Sequence, residues 1–370
     1  MRRRRRPPWT RNSSRTPYIY GYSLITTEVT RVQMTNVAAP QGLHAPLGEF
    51  INVPRYPPAD FRGVSVPHAD TLYSLAWLDV GTEPMVFSHP DMGDRFFLFL
   101  MYSLWMLVVT SVGTRTGATK ATNYLITGSG WSGQVPVGMV QIKSPTRYFL
   151  ILGRPQADGA NADYAAVNTL QAQYKLTPLS ALGPAFTYQL APVDPNPGFS
   201  TTDKPQSVIL GFSAEEYFTR MLRIMASPVP PAPEGAPLLA RLGRIGMVPG
   251  QPFDASKLSP AAREGLKDLP QRALTTIGAH RQGLGVVVNG WAVTKGLGRY
   301  GTDYMKRAAV AAFGWPANLQ EDAVYPFTET DSEGRPLTGA NRYALTFAVR
   351  QAPPINGFQS ITMYEIDEGW

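Results

Sequence analysis

One apolar run constrains the fold more than any other feature of this sequence. It extends from Phe96 to Val109, about 14 residues, and is interrupted by Ser103. A helix needs about 20 apolar residues to cross a bilayer, so the run is too short to be a membrane span. Apolar runs that are bounded by turn residues are typical of buried strands. The run therefore predicts buried β-strands and no membrane span.

Glycine and proline separate many short apolar stretches on both sides of this run. The chain has 34 of each, which is above average usage, and neither recurs with a collagen-like period. Turn residues at this spacing are typical of a β-sandwich or a β-barrel. The candidate strands of this part lie at 72–80, 85–88, 96–109, 124–127, 138–143 and 147–152.

Helices are predicted before and after these strands. The first begins at Thr16, because proline at position 17 is tolerated in a first turn, and it places Tyr22, Ile25, Val29 and Val32 on one face. Ser213 and Glu216 form a capping box. The remaining predicted helices lie at 162–174, 213–226, 238–245, from 259 onward and at 302–313, with a proline-rich linker at 227–233.

The chain is divided into four segments by these patterns. Residues 1–15 are a disordered basic tail, 16–185 a β-rich module, 186–285 a helical connector and 286–370 an incomplete β module. Subtracting the five charges of Arg2 to Arg6 from the net charge of +7 leaves +2, so the basic character belongs to the tail. We therefore predict no nucleic-acid partner. No apolar stretch follows the arginines, which indicates a cytoplasmic protein, or a periplasmic or secreted one if the true N-terminus differs.

Several classes of site are excluded or disfavoured. The chain has no cysteine, which excludes disulfides, thiolate nucleophiles and cysteine-ligated zinc. His44, His89 and His280 lie outside metal-motif spacing of one another, so we predict no metal, with Ca²⁺ or Mg²⁺ on loop carboxylates as the alternative that the sequence leaves open. Residues 296–301 fit G-x-G-x-x-G, but no strand–helix–strand unit surrounds them, so we predict no cofactor.

The segment His68-Ala69-Asp70 is the first candidate site. Spacing of i and i+2 puts both side chains on one face of a strand, where they could serve as an acid/base pair, and a carboxylate beside an imidazole raises the imidazole pKa. The alternative is a turn in which Asp70 binds backbone. If a site exists here, Asp70, Thr71 and Tyr73 are better candidates than His68.

The second candidate lies at the start of the helix predicted at 302–313. Asp303 and Arg307 are four residues apart, so a surface ion pair is the default interpretation. A buried version would present Arg307 beside Tyr304 as an anion-binding group suited to carboxylate or phosphate.

Several motifs, taken in order, resemble bacterial proteins that combine the domains of unknown function 1254 and 1214. This resemblance implies jelly-roll-like β modules with a helical part between them, and it adds Arg115 and Arg154 to the candidate residues. Such proteins usually have Asn at the position of His68 and continue past Trp370, so we expect a truncated second module. The matching stretches are 18–22, 67–74, 115–117, 152–154 and 176–179 for the first domain, and 300–304, 307–311, 317–319, 321–326 and 360–364 for the second.

The sequence thus predicts a mainly β, α+β multidomain chain with jelly-roll-like sandwich modules and a helical connector. Strands at 342–350 and 358–366 would leave an open sheet edge, which allows homo-oligomers. Two functions remain open. One is a hydrolase acting on a small polar or polymeric substrate in a cleft between the modules. The other is a non-catalytic glycan- or polymer-binding or envelope-associated protein. The candidate residues are Asp70, Tyr73, Asp303 and Tyr304 for catalysis and His68, Thr71, Arg115, Arg154 and Arg307 for substrate binding.

Overall fold

The computed structural model describes residues 14–58, 67–183, 189–226, 235–281 and 283–364. Within these ranges the chain forms an α+β fold, which confirms the predicted class. The jelly-roll description and the segment boundaries stay predictions. The linker predicted at 227–233 and the tail up to residue 13 lie outside the described residues.

The described residues form eleven strands and eight α-helices. The strands are β1 (Phe50–Asn52), β2 (Ser74–Asp79), β3 (Met85–His89), β4 (Phe97–Ser103), β5 (Val108–Gly113), β6 (Thr122–Gly128), β7 (Met139–Ser144), β8 (Tyr148–Pro155), β9 (Lys175–Pro178), β10 (Gly285–Val288) and β11 (Trp291–Thr294). The helices are α1 (Arg15–Thr35), α2 (Asn161–Gln171), α3 (Pro205–Gly211), α4 (Ala214–Ile224), α5 (Ala236–Gly243), α6 (Pro260–Glu264), α7 (Leu269–Arg281) and α8 (Tyr304–Phe313).

Two sheets build the first half of the fold. One has the strand order β1-β2-β8-β4-β5 and the other β7-β6-β3-β9, and a separate hairpin joins β10 to β11. Apolar side chains from both larger sheets fill the space between them. Phe87 of β3 and Phe99 of β4, for example, pack edge to face with ring centroids 4.8 Å apart. This pair of facing sheets is a β-sandwich.

The five-stranded sheet is covered on both faces, which explains the apolar run from Phe96. All seven residues of β4 are buried. Phe99 and Met101 face the other sheet, whereas Leu100 and Tyr102 belong to the core that the sheet shares with the helices. Strands buried on both faces need apolar side chains at every position, so the alternation of a half-exposed strand is absent. The run turns at Met106, where φ is 63°, and continues as β5.

Helix α1 is an internal helix. The predicted apolar face is correct for Tyr22, Ile25 and Val29, but every residue from Pro17 to Thr27 is buried. The helix lies between the five-stranded sheet and helices α3, α4, α7 and α8. Its core includes residues from all three predicted modules. The helix crosses α4 so closely that a Cβ at Gly21 would meet Met221.

The capping signals are confirmed at two helix starts. Ser213 Oγ accepts a hydrogen bond of 3.1 Å from the backbone amide of Glu216 at the start of α4. Ser259 Oγ accepts one of 3.2 Å from the amide of Ala262 at the start of α6. Each hydroxyl satisfies a first-turn amide that has no partner within its own helix.

The two strands predicted near the C-terminus are wrong. Residues 342–350 and 358–364 form no strand, and every residue from 338 to 357 is exposed. The last two positions of the second predicted strand, 365 and 366, lie outside the described residues. Alternation shows that a segment could present one apolar face, but a strand also needs a neighbouring backbone to pair with. No described residues supply that backbone, so the predicted open edge is not formed by this segment. The oligomeric state stays a prediction.

Candidate functional site

A buried arginine near the end of β8 organises the candidate site. Arg154 is 5% exposed. Its Nε donates to Thr71 Oγ1 over 3.3 Å, its Nη1 donates to Tyr325 Oη over 2.7 Å, and its guanidinium lies 5.5 Å from the centre of the Tyr73 ring. Burial lowers the pKa of Arg154, but the phenol groups of Tyr325 and Tyr73 more than offset this, so the guanidinium stays charged. A fully buried cation is therefore held by neutral side chains.

The segment His68-Ala69-Asp70, before β2, forms a turn, which was the alternative interpretation. The hydrogen bonds differ from the predicted ones, in which the Asp70 side chain binds backbone. The backbone amide of Asp70 donates to His68 Nδ1 over 3.2 Å, and the amide of His68 donates to Tyr73 Oη over 3.1 Å. Because Nδ1 accepts this hydrogen bond, the neutral ring carries its hydrogen on Nε2. The Asp70 carboxylate lies 3.7 Å from Nδ1.

His68 is held neutral, contrary to the rise in pKa expected from a neighbouring carboxylate. Burial is the largest cause, the positive charge of Arg154 is the second, and together they lower the pKa of His68 to about 4. Asp70 raises it only in part. Because Arg154 was not placed beside His68 by sequence spacing, the sign of this shift was not predictable from the segment alone.

The C-terminal part of the chain completes the site. Asn318 Nδ2 donates to Tyr325 Oη over 2.6 Å, which places an amide beside the same phenol that accepts from Arg154. The His68 ring packs edge to face against the rings of Tyr325 and Phe358, each with a centroid distance of 6.0 Å. Tyr364 Oη donates to the carbonyl of Pro67 over 2.8 Å. Aromatic rings thus surround the polar groups.

Two acceptors in this cluster are buried without a donor. Asp70 Oδ2 and Asn318 Oδ1 have no hydrogen-bond partner among the described residues. A buried polar atom without a partner costs about 1–3 kcal/mol. Such atoms are rare in native proteins and call for a ligand, an ion or water at that place. Both lie within the surroundings of His68, Tyr325 and Arg154.

Arg115 does not bind the same groups as Arg154. Its Nε lies 2.6 Å from Asp322 Oδ1, and this hydrogen bond raises the Arg115 pKa. The Arg115 side chain is 40% exposed, whereas that of Asp322 is 3% exposed. The pair ties the turn after β5 to the C-terminal part of the chain.

The other predicted residues lie in a second cluster. Asp303 Oδ1 accepts from the backbone amide of Lys306 over 2.9 Å and so caps α8, and the predicted ion pair with Arg307 is wrong. Arg307 is 1% exposed and packs against Tyr20, Trp105 and Tyr304 instead. Arg307 is thus buried beside Tyr304, as the second interpretation required, and its role in anion binding stays a prediction.

Five residues of the site were not candidates in the sequence analysis: Asn318, Tyr325, Tyr364, Phe358 and Tyr102. Tyr364 lies within the matched stretch 360–364, whereas Phe358 lies outside it. Tyr325 and Asn318 lie within the matched stretches 317–319 and 321–326, so the resemblance could have identified them. Tyr102 had no such signal. Its buried hydroxyl donates to the carbonyl of Ala317 over 3.1 Å, and Arg154 acts on its pKa.

Two hollows lie elsewhere, beside α1 and α4. They have volumes of about 280 and 570 Å³ and share Asn196, Pro197, Arg220 and Arg223. Arg220 is already paired with Glu216, with Nη2 2.8 Å from Oε1. We therefore place the site at Arg154, where acceptors lack donors, rather than at these hollows. No group of three His, Asp or Glu side chains suited to a metal occurs among the described residues.

Two family models match this chain, one in each half. Residues 47–178 match the family described as Protein of unknown function (DUF1254), and residues 322–369 match Protein of unknown function (DUF1214). Both matches are present in the combination that the resemblance predicted. No curated protein matches it.

The fold is similar to that of a solved protein. The crystal structure of the VPA0106 protein from Vibrio parahaemolyticus matches with a TM-score of 0.60 and 18% identity, over 89% of this chain and 73% of that one. An uncharacterized protein from Burkholderia cenocepacia gives a TM-score of 0.27 and 11% identity over 45% of this chain and 43% of that one, too little to support an argument. Among the helices of the described ranges, none has the length and apolar character needed to cross a bilayer.

The Arg154 site lies where the two domains meet. The DUF1254 domain supplies His68, Asp70 and Arg154, whereas the DUF1214 segment supplies Tyr325 and Phe358. Arg307 lies outside both matched ranges, so the second cluster belongs to the connecting part of the chain.

Proposed function

We propose that the chain binds a small hydroxylated carboxylic acid, such as a sugar acid, at the Arg154 site. The observation that carries this proposal is the pair of buried acceptors without donors, Asp70 Oδ2 and Asn318 Oδ1, beside a buried arginine. Hydroxyl groups of a ligand would donate to these two oxygens, and a ligand carboxylate would balance the charge of Arg154.

The aromatic residues favour the same ligand class. His68, Tyr325 and Phe358 pack edge to face around the polar groups, and Tyr73 lies under the Arg154 guanidinium. Apolar walls with a few convergent polar groups are typical of small-molecule sites. The ring faces would contact the C–H groups of a hydroxylated ligand, while its oxygens reach Asp70, Asn318 and Arg154.

A hydrolase acting at this site is the second candidate, and the neutral state of His68 is the observation that favours it. The positive charge of Arg154 contributes to the low pKa of His68. A bound carboxylate would balance that charge and raise the imidazole pKa toward the range that suits a general base. Binding would then prepare His68 to accept a proton.

Calorimetric titration with D-glucuronate and D-glucose tests the binding proposal. We expect glucuronate to bind more tightly, because glucose lacks the carboxylate. Asp70→Asn removes the carboxylate with little change of shape and should weaken glucuronate binding about tenfold, since a hydrogen bond to a charged group contributes about 1.5–3 kcal/mol. Asp94→Asn, an exposed carboxylate outside the site, is the matched control. Equal affinity of the two sugars, or full binding by Asp70→Asn, would contradict the proposal.

Release of nitrophenol from 4-nitrophenyl β-D-glucuronide separates binding from hydrolysis. A hydrolase should lose turnover in His68→Asn while retaining glucuronate binding. Binding without turnover in the wild-type protein would leave the non-catalytic function and exclude the hydrolysis of this glucuronide.

A further inference from the structure

A second buried arginine, Arg307 of α8, lies in the core between α1 and the turn that joins β4 to β5. Its Nη2 donates to the carbonyl of Tyr20 over 2.8 Å. The guanidinium carbon lies 4.8 Å from the centre of the Trp105 ring and 5.4 Å from the centres of the Tyr20 and Tyr304 rings. Aromatic rings therefore enclose the cation on several sides.

The charge of Arg307 has no negative partner among the described residues. The groups that act on it most strongly are the phenols of Tyr20, Tyr304, Tyr300 and Tyr217. Burial raises the pKa of Tyr300 to about 12 and that of Tyr20 further, so these phenols stay protonated and uncharged. An unbalanced buried ion is strongly destabilising in a protein interior.

Several donors around Arg307 lack acceptors. Arg307 Nε and Tyr20 Oη are buried without a hydrogen-bond partner. Tyr300 Oη also has no partner of normal geometry, although the Gly298 amide is close enough to act on its pKa. An amide can only donate, so the proton of Tyr300 still lacks an acceptor. Unpartnered donors beside an unbalanced cation call for an anion.

The N-terminus of α5, which carries the positive end of the helix dipole, lies close to Tyr20 Oη. A Cβ on Gly235 would lie 3.4 Å from Tyr20 Oη, so this hydroxyl faces the first turn of α5. Gly235 is the residue that precedes the helix, and no side chain caps it. First-turn amides without a cap favour an anion.

We propose that Arg307, Tyr20 and Tyr300 form a buried site for a small monovalent anion, with chloride as the ligand of matching charge. One negative charge balances the one positive charge of Arg307. The arginine Nε–H and the two phenol O–H groups supply the donors. This site lies apart from the Arg154 site and does not depend on the ligand proposed there.

Thermal unfolding in chloride or bromide against isethionate, at constant ionic strength, tests this proposal. A halide that binds the folded state raises Tm with concentration. We expect such a rise in the wild-type protein. Tyr20→Phe removes one donor with little change of packing and should weaken the halide affinity about tenfold. Tyr18→Phe is the matched control, because Tyr18 Oη is also buried and unpartnered on α1, but Arg307 is not among the groups that act on its pKa.

A bromide-soaked crystal provides an independent measurement. Anomalous scattering should show bromide within hydrogen-bond distance of Arg307 Nε and Tyr20 Oη. Asp70→Asn should leave the halide response unchanged, which separates this site from the sugar-acid site. The proposal is overturned if the wild-type Tm does not depend on the halide, if Tyr18→Phe and Tyr20→Phe lose the response equally, or if the anomalous map is empty beside Arg307.

Discussion

Arg154 and Arg307 are both arginines inside the same protein, but their surroundings differ. Arg154 donates to two side-chain hydroxyls, Thr71 Oγ1 and Tyr325 Oη, and its pKa is raised. Arg307 donates to one backbone carbonyl, its Nε lacks a partner, and burial lowers its pKa to about 10. Burial lowers the pKa of both, so the neighbouring phenols and the hydrogen-bond partners together decide how well each charge is tolerated.

Replacing Arg154 should have the largest effect on stability. Arg154→Met removes two charge-assisted hydrogen bonds and leaves Thr71 Oγ1 without this donor, while Tyr325 keeps its hydrogen bond from Asn318. We therefore expect a loss of about 4 kcal/mol in the free energy of unfolding. Urea denaturation followed by tryptophan fluorescence measures it. A loss below about 1 kcal/mol would mean that the two hydroxyls find other partners and that the contrast with Arg307 is weak.

The free energy of unfolding should depend on pH because Arg154 helps to lower the pKa of His68. The folded-state pKa of about 4 lies below the ordinary value of 6.5, so the unfolded chain binds more protons between these values. Stability is therefore lost as the pH falls from 6.5 to 4, by about 3 kcal/mol. His68→Asn, which introduces the residue usual in the similar proteins, should remove this loss of stability at low pH. His89, whose pKa burial also lowers, titrates in both proteins and serves as the internal reference. The same slope in both would show that His68 is not the group responsible.

Arg115 is a partly exposed arginine with which the two buried arginines can be compared. Its side chain is 40% exposed and pairs with Asp322. An exposed ion pair contributes up to about 1 kcal/mol, but Asp322 is buried and would lose its donor, so Arg115→Gln should destabilise the protein by about 1–2 kcal/mol. Salt should reduce the difference between the two proteins. A loss as large as that of Arg154→Met would show that the burial of Asp322 dominates the pair.

Replacing Arg307 should have the smallest effect when no halide is present. Arg307→Met keeps the apolar stem and removes an unbalanced buried charge, and such replacements are often neutral or stabilising. In isethionate buffer we expect the unfolding free energy to change by less than about 1 kcal/mol. Added chloride should then stabilise the wild-type protein but not the variant. A large loss in isethionate would show that the aromatic contacts alone compensate the charge.

Local sequence patterns predicted the β-sandwich and the helix starts well. The run from Phe96 predicted buried strands correctly, because a strand that is buried on both faces is apolar at every position. Ser213 and Ser259 were interpretable because a cap needs only residues that are adjacent in the chain. The strand predicted at 342–350 failed because alternation says nothing about the backbone that must pair with it.

The site was predicted in part for the same reason. His68, Asp70, Thr71, Tyr73 and Arg154 were all candidates, and they lie together. Sequence spacing could not show that Arg154 lies close enough to lower the pKa of His68, nor that Tyr325 accepts from Arg154, because 171 positions separate those two residues. The pairing of Asp303 with Arg307 was wrong because Asp303 caps its own helix, while the arginine turns into the core.

The sequence by itself determined the elements: buried strands, capped helices, the two families of domain and the residue types that could carry chemistry. The strands and the caps depend on neighbours within one turn or one strand, and the families of domain depend on the order of short motifs along the chain. The tertiary structure alone decided which arginine has partners, which histidine is neutral and which hydroxyls lack acceptors. These properties depend on groups that come together only when the sheet packs on α1 and α8, because burial and long-range contacts set the cost of each charge.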